Sequence, residues 1–234
     1  MSRYLEDISL FYGDQERNAK GETLEEFLEA YDPNRYQNPS VTVDTIVIRH
    51  PKNPVTVAEG LSVLLIRRGN HPSIGKWALP GGFVNYREDT IDAAKRELEE
   101  ETGIKGLPVE QLRAWGEYQR DPRTRIVTVA YLALIEEGMK AKAGDDAADA
   151  AFFRVRLKEI QKTRVENRIH TRYQLTLVRE DAPETVLEAE VEVGENAEGL
   201  LREQTFRGVS EKGMAADHPA IILQALLHLE ERIR

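Results

Sequence analysis

Hydrophobic and polar positions follow two different periods along this chain. Over residues 41–49 (VTVDTIVIR) β-branched side chains recur at every second place, and residues 61–67 (LSVLLIR) resume after a polar, proline-containing turn over residues 51–60. Both stretches predict strands, because side chains on a pleated backbone alternate between its two faces. Residues 109–119 (VEQLRAWGEYQ) predict another strand, and residues 125–135 (RIVTVAYLALI) are so nearly apolar that they predict a central strand covered on both sides. Residues 144–151 (GDDAADAA) predict a loop or short helix, followed by a strand over residues 152–155. Residues 173–178 (YQLTLV) and 186–193 (VLEAEVEV) alternate on either side of a polar turn, which predicts a hairpin.

Three stretches change to the helical period. In the first, Thr23 is the N-cap, Glu26 holds the capping-box position, and Leu24, Phe27, Leu28 and Tyr31 form one stripe that Asp32-Pro33 ends. That stripe is expected to pack on the main domain or on a second subunit. In the second, Asp89 or Thr90 caps a run of helix formers from Ile91 to Glu101, and Gly103 supplies the left-handed stop. In the third, a helix opens at Asp217 with Pro219 in its first turn and presents Ile221, Ile222, Ala225, Leu226 and Leu229 to a core. The expected organisation is an N-terminal extension over residues 1–40 and a domain over residues 41–234. That domain would carry an insertion over residues 158–213 and a closing helix over residues 217–234.

Composition narrows the class. The chain has 234 residues, 41% of them hydrophobic, which fits one generous α/β domain with an appendage. It has no cysteine, so disulfides and thiolate metal sites are excluded, and a reducing, cytoplasmic setting is expected. The first twenty residues lack a long apolar run and a basic start, so no signal peptide is expected, and with no run of about 18 apolar residues no membrane span is expected. A formal net charge of −9 disfavours general binding to nucleic acid and leaves an anionic substrate in need of a cation.

The candidate chemistry lies on the second helix. At about 100° per residue, Ile91, Ala94 and Leu98 share an apolar face, while Glu97, Glu100 and Glu101 project within an arc of about 100° beside it. Like charges so placed repel one another, and a hard divalent cation held with substrate phosphates would relieve that repulsion. Arg96 and Glu88 could pair and hold the preceding loop onto the helix. An exposed carbonyl of the Leu79-Pro80-Gly81-Gly82 turn could add a ligand.

The spacing makes the pattern specific. Gly82 is followed six residues on by Glu88, then by Arg96-Glu97-Leu98, Glu100-Glu101 and Gly103-Ile104. This resembles the box of the Nudix hydrolase superfamily at every defined position, a match whose chance probability at one start is on the order of 10⁻⁸. Residues 64–85 and 121–135 also look like the ADP-ribose pyrophosphatase-like branch. The resemblance implies an α/β/α sandwich with a mixed sheet, and Mg²⁺ or Mn²⁺ held by Glu97, Glu100 and Glu101 with the Gly81 carbonyl. It further implies hydrolysis of a nucleoside diphosphate derivative to two monophosphates, with ADP-ribose or a related nucleotide sugar the best guess.

Relatives differ in the general base, a box glutamate in some and an acid from a later loop in others. Here that loop aligns with Asp145-Asp146, so the catalytic candidates are Glu97, Glu101 and Asp146, supported by Gly82, Glu88, Arg96 and Gly103. Arg67, Arg68 and Phe83 are candidate substrate contacts, with Lys76 near them. Core packing is expected for Trp77, Trp115, Tyr86 and Tyr118, and loop or surface roles for the five histidines. A homodimer through the extra segments is open. Competing readings are a transcription regulator that senses ADP-ribose, with the basic cluster over residues 158–172 as its one support, and a hydrolase of a dinucleotide or nucleoside triphosphate.

Overall fold

The computed structural model describes residues 4–54, 56–137 and 147–233. They divide into two compact units, residues 1–38 and residues 39–234. In the first unit, a 3₁₀ turn at Ser9–Phe11 precedes α1, Leu24–Ala30. The capping box is complete: Glu26 N–H donates to the Thr23 hydroxyl, and the Glu26 carboxylate accepts the Thr23 N–H at 2.8 Å. Two backbone donors that the first turn leaves without helical partners are thereby satisfied. On the apolar stripe Leu24 and Leu28 are half-buried, whereas Phe27 and Tyr31 are exposed, with ring centroids 6.0 Å apart.

The second unit is built on a ten-stranded mixed sheet in the order β10-β9-β8-β7-β2-β1-β6-β5, with β3 added to β2 and β4 to β1. In chain order the strands are β1 Ser40–His50, β2 Ser62–Arg68, β3 Trp77–Ala78, β4 Gly81–Phe83, β5 Val109–Trp115, β6 Ile126–Glu136, β7 Ala147–Val165, β8 Arg168–Arg179, β9 Val186–Asn196 and β10 Gln204–Lys212. The helices are α2, Thr90–Thr102, and α3, His218–Ile233. Among the described strands the one parallel neighbour pair is β1 with β6, in register from Ser40↔Ile126 to His50↔Glu136.

Alternation along β1 explains the layering. Val43 and Val47 join the clusters that contain Ala93, Ala94 and Leu98 of α2. Ile46 and Ile48 point the other way, into the cluster that contains Ile221, Ile222 and Leu226 of α3. A helix therefore covers each face of the central strands, and the fold is an α/β sandwich around a mixed sheet. Most residues of β1 are buried, as a β-branched run interrupted only by Asp44 requires.

Three expectations need correction. Residues 147–151 are neither loop nor helix: they open β7, pairing Ala150 with Ile66 and Ala151 with Leu65. Alanine favours helix in isolation, but small side chains also fit a strand buried against its neighbour, and sheet context overrides that preference. The strand predicted to end at residue 155 continues to Val165, because Arg154, Arg156 and Lys158 are its exposed face while Phe153 and Val155 are buried. Residues 147–212 accordingly form a four-stranded antiparallel meander, β7 to β10, continuous with the main sheet, in which the predicted hairpin is the middle pair. The strand expected over residues 109–119 stops at Trp115, beyond which Gly116 and the residue 117–125 turn carry the chain over the site.

Candidate active site

Two glycines set the position of the box helix. In β4, Gly81 pairs with Asp44 and Gly82 with Val43 of β1. A Cβ on Gly82 would fall 2.5 Å from the Glu97 carboxylate, so this carboxylate lies directly against the backbone of the strand. The Gly81 N–H donates to Glu101 Oε2 at 2.8 Å. Beside these glutamates on the sheet-facing side of the helix, Ala93, Ala94 and Leu98 are buried. Gly103 closes the helix at φ 71°, its N–H donating to the Glu99 carbonyl, the left-handed stop that glycine adopts without a steric penalty.

Arg96 fixes the loop that leads into the helix. Its Nε and Nη2 donate to the two oxygens of Glu88 at 2.7 and 2.9 Å, and Nη2 also donates to the Phe83 carbonyl at 3.0 Å. The Glu88 carboxylate, which accepts the Asn85 N–H as well, is held down at about 2, chiefly by the Arg96 hydrogen bonds. Nη1 of the same guanidinium donates to Glu97 at 2.6 Å and to Glu100 at 3.0 Å. Replacing Arg96 with lysine keeps the charge but removes the planar fork. We expect a loss of about 1–2 kcal/mol, read as a lower urea midpoint, together with a fall in turnover; an unchanged midpoint would show that the fork holds nothing together.

The three helix carboxylates separate into two groups. Glu97 and Glu101 line a cavity of about 560 Å³, along with Asp44, Arg68, Arg120 and Asp217, whereas Glu100 is 57% exposed on the flank of the helix, paired with Arg96. Burial pushes the Glu97 carboxyl up, with Arg96 pulling against it. Burial pushes Glu101 further, to about 8, and the negative charges of Glu97 and Asp44 add to the rise. Among the described residues no group of three His, Asp or Glu side chains is gathered as a metal-holding set, because Arg96 draws Glu97 and Glu100 while the Gly81 N–H holds Glu101. The donors nonetheless suit a divalent cation. They are hard carboxylate oxygens, and Glu101 is a buried carboxylate whose charge a cation would offset.

Other candidates fall unevenly. Arg68 reaches the cavity with Nε on the Pro72 carbonyl at 2.7 Å, while Arg67 is exposed and bonded to the Gly75 carbonyl. Lys76 pairs with Glu211. Phe83 is 46% exposed on the cavity wall, with the Arg123 guanidinium 5.3 Å from its ring centroid. Trp77 and Trp115 are buried, but Tyr86 and Tyr118 are exposed and serve no core: their segments are loops over the cleft rather than strands in the sheet. Asp145 and Asp146 lie outside the described residues.

The histidine expectation also fails at one place. His218 is buried at the start of α3 and accepts the Leu79 N–H on Nδ1 at 2.9 Å. Sequence reasoning further missed Asp44, Arg120 and Asp217. Asp44 accepts the Thr128 hydroxyl at 2.7 Å, and Arg120 grips both oxygens of Asp217 at 2.9 and 3.1 Å. A signal for Asp44 existed, since an acid inside an otherwise β-branched run is out of place in a covered strand unless it is paired.

These features have counterparts elsewhere. A family model described as NUDIX domain matches residues 41–176, and the chain belongs to that family. It is 42% identical over 112 residues to the ADPR responsive transcriptional repressor NtrR of Acinetobacter baylyi, a match covering 47% of this chain and 42% of the repressor. It is 37% identical over 118 residues to the ADP-ribose pyrophosphatase of Methanocaldococcus jannaschii, covering 50% and 63%. The chain thus spans less than two thirds of the length of both curated relatives.

Among solved structures it is similar to a MutT/nudix family protein from Enterococcus faecalis, at 33% identity and a TM-score of 0.61, covering 90% of this chain and 70% of that one. It is also similar to the NUDIX domain of Shewanella oneidensis NrtR complexed with ADP ribose, at 25% identity and a TM-score of 0.56, covering 89% and 99%.

Proposed function

We propose that this chain is a metal-dependent pyrophosphohydrolase that cleaves a nucleoside diphosphate derivative, with ADP-ribose or a related nucleotide sugar as the best substrate, to two monophosphates. The observation that carries the reading is the pair Glu97 and Glu101, turned from one helix into a single cavity that also takes in Arg68. The similarity to a pyrophosphatase of ADP-ribose supports the choice of substrate.

Glu97 and Glu101, with the Gly81 carbonyl, are the residues that would hold Mg²⁺ or Mn²⁺, and Glu100 would join them by leaving Arg96. Bound there, the cation would neutralise the diphosphate and lower the pKa of an attacking water. The rest of the chemistry belongs to the chain. Arg68 meets phosphate charge, Arg96 fixes Glu97, and the Gly81 N–H orients Glu101. The proton of the attacking water goes either to a box glutamate or to Asp146. Burial raises Glu101 to about 8 before a cation binds, and the cation it would hold would bring it down again and favour the carboxylate.

Incubation with Mg²⁺ and a panel of nucleotide sugars, dinucleotides and nucleoside triphosphates, analysed for monophosphates, tests the reading. Release of AMP from ADP-ribose is expected, and no product above a Glu97→Gln control would sink the proposal. A second reading, an ADP-ribose-responsive regulator, is favoured by the 42% identity to a repressor. It predicts salt-sensitive retention on promoter DNA, which the hydrolase reading does not. Among the described residues no helix is long and apolar enough to cross a membrane; the cytoplasmic setting we propose rests on the cysteine-free sequence.

A further inference from the structure

The same cavity has a second wall where the last helix begins. Ala215, Ala216, Asp217 and His218 line it. Ala216 turns the chain at φ 38°, a region that side-chain-bearing residues seldom enter, and the Asp217 carbonyl then accepts the Ala220 and Ile221 N–H groups to open α3. His218 is only 8% exposed, and its Nδ1 accepts the Leu79 N–H at 2.9 Å. A backbone N–H can only donate, so Nδ1 must be the lone-pair nitrogen and the proton of the neutral ring sits on Nε2. Among the described residues no hydrogen bond occupies Nε2, although the ring faces the cavity. The fold therefore holds a neutral donor of fixed tautomer with an open position in front of it.

The charges beside His218 decide what can occupy that position. Arg120 is bound to both oxygens of Asp217 and stands 3.8 Å from Asp44. Two carboxylates and one guanidinium leave this wall with a net charge of −1, which repels a phosphate oxygen. A sugar hydroxyl fits instead. It can accept the His218 Nε2–H through its oxygen and donate its hydrogen to a spare lone pair of Asp217, which the two Arg120 bonds leave available. We propose that Asp217 and His218 form a sugar-reading wall that binds hydroxyls on the glycosyl half of a nucleoside diphosphate sugar, leaving the diphosphate to Arg68 and the box helix. The assignment rests on the hydrolase reading and names the half of the substrate that gives it specificity. Arg120 acts through Asp217 as a positioning residue.

The test compares two ligands, ADP-ribose and ADP esterified to a simple alkyl group, by calorimetry in Ca²⁺ with the unaltered protein and with His218→Asn. That substitution leaves an oxygen for the Leu79 N–H and removes the Nε2–H. The dissociation constant of the sugar ligand is expected to rise about tenfold and that of the alkyl ligand to change less than about twofold. Equal changes for the two ligands, no change for either, or failure of the unaltered protein to prefer the sugar would overturn the assignment.

A second measurement needs no substitution. In protein labelled with ¹⁵N-histidine, the Nε2–H resonance of His218 is expected to shift on addition of ADP-ribose and to stay in place with the alkyl compound; a still resonance with the sugar bound counts against it. Hydrolysis of ADP-ribose in Mg²⁺, measured separately, tests the hydrolase reading. Sugar selectivity without turnover would therefore sink that reading while leaving this wall intact.

Discussion

Replacing Glu101 with glutamine is expected to lower turnover on the order of 10³-fold and, in the same protein, to raise stability at alkaline pH. The two effects share a cause. Burial lifts the Glu101 carboxyl from 4.5 to about 8, so the folded state holds this proton more tightly than the unfolded chain does. A raised folded pKa gives a contribution that is fully present below about 4.5 and is lost as pH climbs through about 8.

Glutamine keeps an oxygen for the Gly81 N–H but never ionises, so it escapes that loss. The variant should match the wild type near pH 4.5 and exceed it at pH 8.5 by about 4–5 kcal/mol, on the order of ten degrees in Tm, in EDTA. Thermal melts across this range check it. A variant that melts lower than wild type at pH 8.5 would show that the carboxylate is comfortable in its ionised form, and that the cavity is wetter than its lining implies.

The second large effect comes from a single methyl group. A Cβ on Gly81 would stand 2.0 Å from the Val43 carbonyl oxygen and 3.0 Å from the Asp44 Cα. Both obstacles are backbone of a buried central strand, so neither can rotate away. Gly81→Ala must then part β4 from β1, and with it displace the N–H that holds Glu101. We expect a loss of about 3 kcal/mol or more, seen as a large drop in the urea midpoint, with turnover abolished. Gly82→Ala meets the movable Glu97 carboxylate instead and should be milder for folding while still disturbing the site. Equal midpoints for Gly81→Ala and wild type would mean that the two strands are not paired as described.

What could be read from the sequence follows from where the physics is local. The box helix, its left-handed stop at Gly103 and the α1 capping box are decided within a few residues, and the expected elements and the observed ones agree there to within a residue or two. Of the central strands, β1 is legible from its β-branched alternation and β6 from the nearly unbroken apolar run that burial on both faces leaves.

The meander was half legible. β8 and β9 alternate cleanly, while β10 is exposed along nearly its whole length and so writes no pattern, and the charges of β7 disguised its length. At the site, helical spacing placed Glu97 and Glu101 together but could not foresee that Arg96 would hold Glu100 on the flank. Asp44, Arg120, Asp217 and His218 come from β1, a loop and the start of α3, and only the folded chain brings these segments to one cavity.

The central claim is that two carboxylates of the box helix, with a divalent cation, hydrolyse a nucleotide sugar. Its most direct test is AMP release from ADP-ribose as Mg²⁺ is titrated into metal-free protein, run beside Glu97→Gln and Glu101→Gln. The account predicts a saturable rise for the wild type and a flat line for both variants. AMP release that ignores Mg²⁺, or full turnover by either variant, would contradict it.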